Sequence, residues 1–158
     1  MSETLRFCAD VHLGKLARLL RMLGFDTAYK NDFSKEDLYE IAWNEHRCLL
    51  SKAPYFTRFP DINFYQVKSA DPQEQLKEII NHFHLRNSFN PFTRCLYCNQ
   101  ILEKKEKEEV ENSLLPQTNK HFSEFWECTS CKKIYWKGSH YQRMMNMIDK
   151  LESGRTTG

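Results

Sequence analysis

Up to residue 88, short apolar runs alternate with stretches in which apolar side chains recur every three or four positions. Residues 5–9, 26–29, 47–50 and 63–67 are brief, largely apolar and flanked by polar or turn-forming residues, the pattern of buried strands. Residues 13–23 bring Leu13, Leu16, Leu20 and Leu23 to one side of a helix, and Gly24 follows as a stop. Ser34 precedes a second helix, residues 35–45, and Asp37 three residues on completes a capping-box-like pattern. Asp71 followed by Pro72 opens a third helix, which runs to about His84. The order β-α-β-α-β-β-α predicts an α/β fold, an open, largely parallel sheet covered by helices.

The rhythm changes between Ser88 and Pro91. Residues 103–112 are densely charged and read as a solvated helical insertion. Residues 125–136 read as an aromatic-rich hairpin. Residues 139–151 read as an amphipathic helix with Met144, Met147, Ile148 and Leu151 on its packing face. Residues 153–158 read as a disordered tail. The expected organisation is an α/β domain over residues 1–88, a smaller module over 91–152 and the tail.

At 158 residues the chain has room for one domain plus a small module. Hydrophobic residues at 41% and charged residues at 28% place it with ordinary globular proteins rather than disordered ones. Lys+Arg 23 against Asp+Glu 21 gives +2, so a nucleic-acid surface has to be a local patch. No apolar signal run opens the chain and no stretch of about 18 apolar residues occurs in it, so we expect a cytoplasmic protein with no membrane partner.

Four of the six cysteines fall in two pairs, Cys95-x-x-Cys98 and Cys128-x-x-Cys131, with 29 residues between them. Two such turns brought together make a tetrahedral sulfur cage suited to structural Zn²⁺. Two disulfides or a redox pair are the other readings. Nothing points to secretion, and a redox motif needs only one pair, which favours zinc. A closed four-cysteine site leaves no open position for a substrate. Cys8 and Cys48 lie in apolar runs and read as buried free thiols.

Chemistry at the first strand centres on Asp10, which follows that strand and precedes the first helix. In open parallel sheets the carboxyl ends of strands are where ligands bind, and a carboxylate there suits a divalent cation; the competing role is an N-cap. Lys15, Arg18 and Arg21 recur every three residues opposite the leucines, as either a solvated face or a strip that contacts phosphates. Lys132, Lys133, Tyr135, Trp136, Lys137, His140, Tyr141 and Arg143 mingle cations with aromatics, where bases could stack. His12 lies two residues after Asp10, within reach of a phosphate. No glycine-rich phosphate loop and no internal repeat is present, and no small-molecule cofactor is expected.

Asp10, then Leu13-Gly14-Lys15-Leu16-Ala17-Arg18, then Leu23-Gly24-Phe25-Asp26-Thr27, resembles the opening of the Mut-seven C-terminal RNase domain family, small PIN-like proteins with an appended zinc ribbon. Arg94-Cys95-Leu96-Tyr97-Cys98-Asn99 and residues 128–140 resemble that family's ribbon. The resemblance covers nearly the whole chain. It implies a PIN-like sheet followed by a four-cysteine zinc ribbon, and cleavage of RNA by Mg²⁺ or Mn²⁺ held on several carboxylates. Asp10 would be one catalytic ligand. The family's acidic residue at the start of the second helix is replaced by Lys35, with Asp37, Glu36 or Asp32 as substitutes. The family's Thr-Arg-Asp-like motif after the third strand reads Ser51-Lys52-Ala53, so an aspartate is replaced by Ala53, and Lys52 joins the expected RNA contacts. The expectation is a ribonuclease-type protein acting on RNA, weakened or inactive. The alternative is a non-catalytic RNA-binding or protein-interaction module on the same fold. The number of acidic residues that converge on Asp10 separates them.

Overall fold

The computed structural model describes residues 4–153, in two compact units that divide between Asn99 and Gln100. The first contains β1 (Phe7–Ala9), a 3₁₀ turn (Val11–Leu13), α1 (Gly14–Met22), β2 (Thr27–Ala28), α2 (Lys35–Asn44), β3 (Cys48–Ser51), a second 3₁₀ turn (Pro54–Arg58), β4 (Phe64–Gln66) and α3 (Pro72–Phe83). Its sheet has the order β2-β1-β3-β4 and every pair is parallel. After β1 the chain steps to one side for β2, then crosses to the other for β3. The strand order therefore reverses between β1 and β3, and the carboxyl ends of these two strands frame the crevice where doubly wound sheets take ligands.

Strand alternation distributes the core. Phe7 meets Phe83 of α3 at 5.6 Å between ring centroids, on the face where α1 lies against α3. Cys8 and Leu49 turn the other way, into a cluster with Leu38 and Ala42 of α2, Phe56 and Ile62. Leu16 and Leu20 of α1 and Leu23, its C-cap, are wholly buried, each contributing about 2 kcal/mol of transfer free energy. Gly24 ends that helix with φ +97°, and a Cβ there would sit 2.3 Å from the carbonyl oxygen of Asn90. Only glycine permits both the left-handed backbone and this approach. Cys8 and Cys48 are buried free thiols as expected, each pushed up to about 12 chiefly by burial.

The second unit contains β5 (Leu102–Lys105), α4 (Lys107–Val110), a 3₁₀ turn (Glu111–Ser113), α5 (Pro116–His121), β6 (Phe125–Cys128), β7 (Ile134–Tyr135) and α6 (Ser139–Ser153). Its sheet is antiparallel, in the order β5-β6-β7. The expected hairpin at 125–136 is β6 and β7. The helical insertion expected at 103–112 is corrected: its first part is β5, which pairs Leu102 with Cys128 and Lys105 with Phe125. The ladder to β6 overrides the helical propensity of Glu and Lys. The helix that follows is a single turn that buries Val110. Met144 and Ile148 of α6 are buried. Apart from Ser153, the tail expected at 153–158 lies outside the described residues. Among the described residues no helix is long and apolar enough to cross a membrane.

Candidate nucleic-acid edge and metal centre

Asp10 sits at the carboxyl end of β1, and its N–H donates to the Leu50 carbonyl at 2.9 Å across the β1–β3 ladder. Its side chain carries two bonds. Oδ1 accepts from the His12 N–H at 3.4 Å, which caps the first 3₁₀ turn. Oδ2 accepts from Ser51 Oγ at 2.6 Å. Ser51 ends β3, is wholly buried, and accepts in turn from the Ala53 N–H at 3.1 Å. The carboxylate at the switch point is thus held by the adjacent strand's terminal hydroxyl, and that hydroxyl also shapes the Lys52-Ala53 loop.

Several exposed cations lie on the elements that meet this edge, beside the acidic Glu36 and Asp37 of the first turn of α2. Lys15 and Arg18 are exposed on α1, and Lys52 is exposed just after β3. Lys35, the first residue of α2, is exposed and places Nζ 4.2 Å from the Tyr55 ring centroid; the Arg58 guanidinium lies 4.4 Å from the same ring. A cation so placed rests on the negative face of the ring.

Arg21 departs from the expected strip. It is 3% exposed. Its Nε donates to the Thr27 carbonyl at 2.9 Å and its Nη1 to the carbonyls of Leu96 at 2.8 Å and Tyr97 at 3.2 Å. Helical spacing of three residues rotates Arg21 away from Lys15 and toward the turn that carries Cys95 and Cys98, so it binds backbone rather than phosphate. Burial lowers its pKa from the ordinary value, opposed by Cys95 and Cys98, and a guanidinium remains charged regardless.

Asp37 is the third residue of the α2 cap. Its Oδ2 accepts from the Ser34 N–H at 3.0 Å while Ser34 Oγ accepts from the Asp37 N–H at 3.0 Å. These bonds from Ser34 hold its carboxyl below the usual value. Asp32 and Asp37 line an open groove of about 380 Å³ with Lys30, Phe33, Glu40 and Ile41, among others, and Asp10 is not part of that lining. Glu36 lines a separate groove with Lys35, Tyr39 and Tyr55. Ser51 was missed by sequence reasoning; a hydroxyl residue ending the third buried run was its one signal.

The two cysteine turns repeat one geometry. The Asn99 N–H donates to the Cys95 carbonyl at 2.9 Å, and the Lys132 N–H to the Cys128 carbonyl at 3.1 Å. Asn99 and Lys132, each directly after its second cysteine, adopt left-handed φ values of 68° and 66°. The N–H groups of Ser130 and Cys131 both point at Cys128 Sγ, at 3.4 Å each. The four sulfurs of Cys95, Cys98, Cys128 and Cys131 lie within 4.8 Å of one another. A tetrahedral zinc–thiolate site with bonds of about 2.3 Å has sulfur–sulfur edges of about 3.8 Å, so the cluster fits zinc.

A model of the Mut7-C RNAse domain matches residues 5–148. The chain belongs to the Mut7-C RNase domain family. No curated protein and no solved structure matches it.

Among the described residues, the four cysteines are the one group of three or more His, Cys, Asp or Glu side chains whose ligand atoms converge enough to hold a metal ion. The Mg²⁺ or Mn²⁺ centre that the family resemblance implies rests on several carboxylates, and among the described residues Asp10 belongs to no group of three or more such ligands. The donor set present at Asp10 does not fit a Mg²⁺ or Mn²⁺ centre built on several carboxylates.

Proposed function

We propose that this Mut7-C chain binds RNA along the carboxyl edge of its parallel sheet and has lost metal-dependent cleavage there. The observation that carries the reading is the Asp10–Ser51 pair. At the switch point the Asp10 carboxylate accepts from the Ser51 hydroxyl, and the residues that follow Ser51 are Lys52 and Ala53. Lys52, Lys15 and Arg18 supply charge that attracts phosphate and repels a divalent cation. A four-cysteine zinc site needs its ligands as thiolates rather than disulfides, which favours a reducing compartment such as the cytoplasm.

Membership of an RNase family favours a second reading, slow cleavage with Asp10 and Asp37 as its acidic pair. The experiment incubates the purified, zinc-loaded chain with labelled single-stranded RNA in Mg²⁺, Mn²⁺ or EDTA. Binding in all three with intact RNA supports the proposal, and a Lys15→Glu/Arg18→Glu double variant should then lose most of the binding. Metal-dependent cutting that disappears in Asp10→Asn supports the second reading.

A further inference from the structure

The exposed side of α1 ends beside an aromatic residue. Tyr97 stands between the two cysteines of the first metal-binding turn and is 59% exposed. The Arg18 guanidinium lies 5.5 Å from its ring centroid. The backbone beneath the ring is fixed, because Arg21 donates to the carbonyls of both Leu96 and Tyr97 and Asn99 closes the turn onto Cys95. A largely exposed ring therefore stands on a fixed backbone beside the exposed Arg18, and the exposed Lys15 lies one helical turn before Arg18.

Single-stranded nucleic acids are held by two features in combination: cations that follow the backbone and aromatic faces that stack bases. A rigid aromatic loses little conformational entropy when it stacks. Trp43, 52% exposed on α2, contrasts with Tyr97, since its helix carries Glu36, Asp37 and Glu40, which repel phosphate.

We propose that Tyr97 is a base-stacking residue for single-stranded RNA, with Arg18 and Lys15 on the flanking phosphates. This inference rests on the RNA-binding reading above and adds to it the position of one base and a requirement for single strands.

The test measures anisotropy of a labelled oligouridine of about 12 nucleotides, within the span of known single-strand sites, and of the same strand with abasic sugars. Tyr97→Ala should weaken binding of the base-bearing strand roughly tenfold, while Tyr97→Phe binds like the wild type. On the abasic strand Tyr97→Ala and the wild type should bind equally, whereas Lys15→Glu should weaken binding to both strands. The oligouridine should quench Tyr97→Trp fluorescence beyond that of the wild type, whose three tryptophans set the baseline, a readout independent of whether Tyr97→Ala keeps its zinc. Wild-type affinity in Tyr97→Ala, or quenching in Tyr97→Trp no greater than in the wild type, while Lys15→Glu still weakens both strands, would overturn the stacking role and leave RNA binding standing. A wild type that binds neither strand overturns both.

Discussion

Ser51 Oγ donates to Asp10 Oδ2 at 2.6 Å and so joins the carboxyl ends of β3 and β1 at the point where the strand order reverses. The consequence for Asp10 is a sign. Asp10→Asn keeps a carbonyl oxygen for the Ser51 hydroxyl and removes one negative charge from an edge that attracts phosphates. If Asp10 works without a metal, its removal relieves repulsion. At about 6 Å through water that repulsion is near 0.7 kcal/mol, so RNA affinity in EDTA should rise roughly threefold. A carboxylate that anchors a bridging cation behaves oppositely, with Asp10→Asn binding more weakly in Mg²⁺ and unchanged in EDTA. Titrations of both proteins in both buffers decide.

Arg21 links α1 to the first cysteine turn, and its role should be visible in zinc affinity. Groups behind the ligands orient them, and their loss costs about 10- to 100-fold in metal binding. Arg21→Met should lower zinc affinity by that order in competition with a chromophoric chelator. Arg18→Met, which removes a ring contact and no hydrogen bond to that turn, should leave it unchanged. Equal zinc affinity in wild type and Arg21→Met would reduce Arg21 to packing.

Most of the first unit is legible in the sequence because its signals are local. The leucine spacing of α1, the Ser34–Asp37 box and the Asp71-Pro72 start each arise from a few neighbouring residues, and the helices begin where those residues place them. The zinc cage is legible because a Cys-x-x-Cys turn fixes two ligands by itself. What escapes is set at long range. β5 exists because β6 pairs with it, which Glu103, Lys104 and Lys105 do not announce. Arg21 belongs by spacing to the basic strip, yet carbonyls contributed 75 and 76 residues later decide its direction. Ser51 matters only because β3 lies beside β1.

Asp26 gives a prediction in pH. Its Oδ1 accepts from Arg47 Nη1 at 2.8 Å and Asn99 Nδ2 at 2.6 Å, and Arg94 lies 3.7 Å from Oδ2. Burial pushes its pKa up, but the bonds from Arg47 and Asn99 and the charges of Arg47 and Arg94 prevail, and the net shift is downward from 3.8. A depressed folded-state pKa means that the contribution is complete above the unfolded value and is lost as pH falls through the folded one. Asp26→Asn leaves the nearly buried Arg47 with Glu45, at 2.7 Å, as its remaining counter-ion and should cost about 2 kcal/mol at neutral pH, the scale of a lost hydrogen bond to a charged group. In denaturant titrations the gap between variant and wild type should close at pH values well below 3.8. A gap of constant size down to acid would show that charge is not its origin.

The last prediction concerns what separates this edge from a cutting one. Two positions where the family resemblance calls for acids carry Lys35 and Ala53. Ala53 lies two residues past Ser51, in the loop whose N–H bonds Ser51 Oγ, and Lys35 leans on Tyr55 in the turn that follows. Ala53→Asp adds a carboxylate to the loop joined to Asp10 through Ser51. Lys35→Asp removes a repelling cation and sets an acid in the first turn of α2, where the helix dipole favours it. The double variant should fold, bind zinc as the wild type does, and gain Mn²⁺-dependent cleavage of single-stranded RNA. Adding Asp10→Asn to it should abolish the gain, because the new acids act on a metal that Asp10 helps to hold. A double variant that still only binds RNA would show that more than these two side chains was lost. A wild type that already cleaves as fast as the double variant would show that Asp10 and Ser51 form a competent site as they stand.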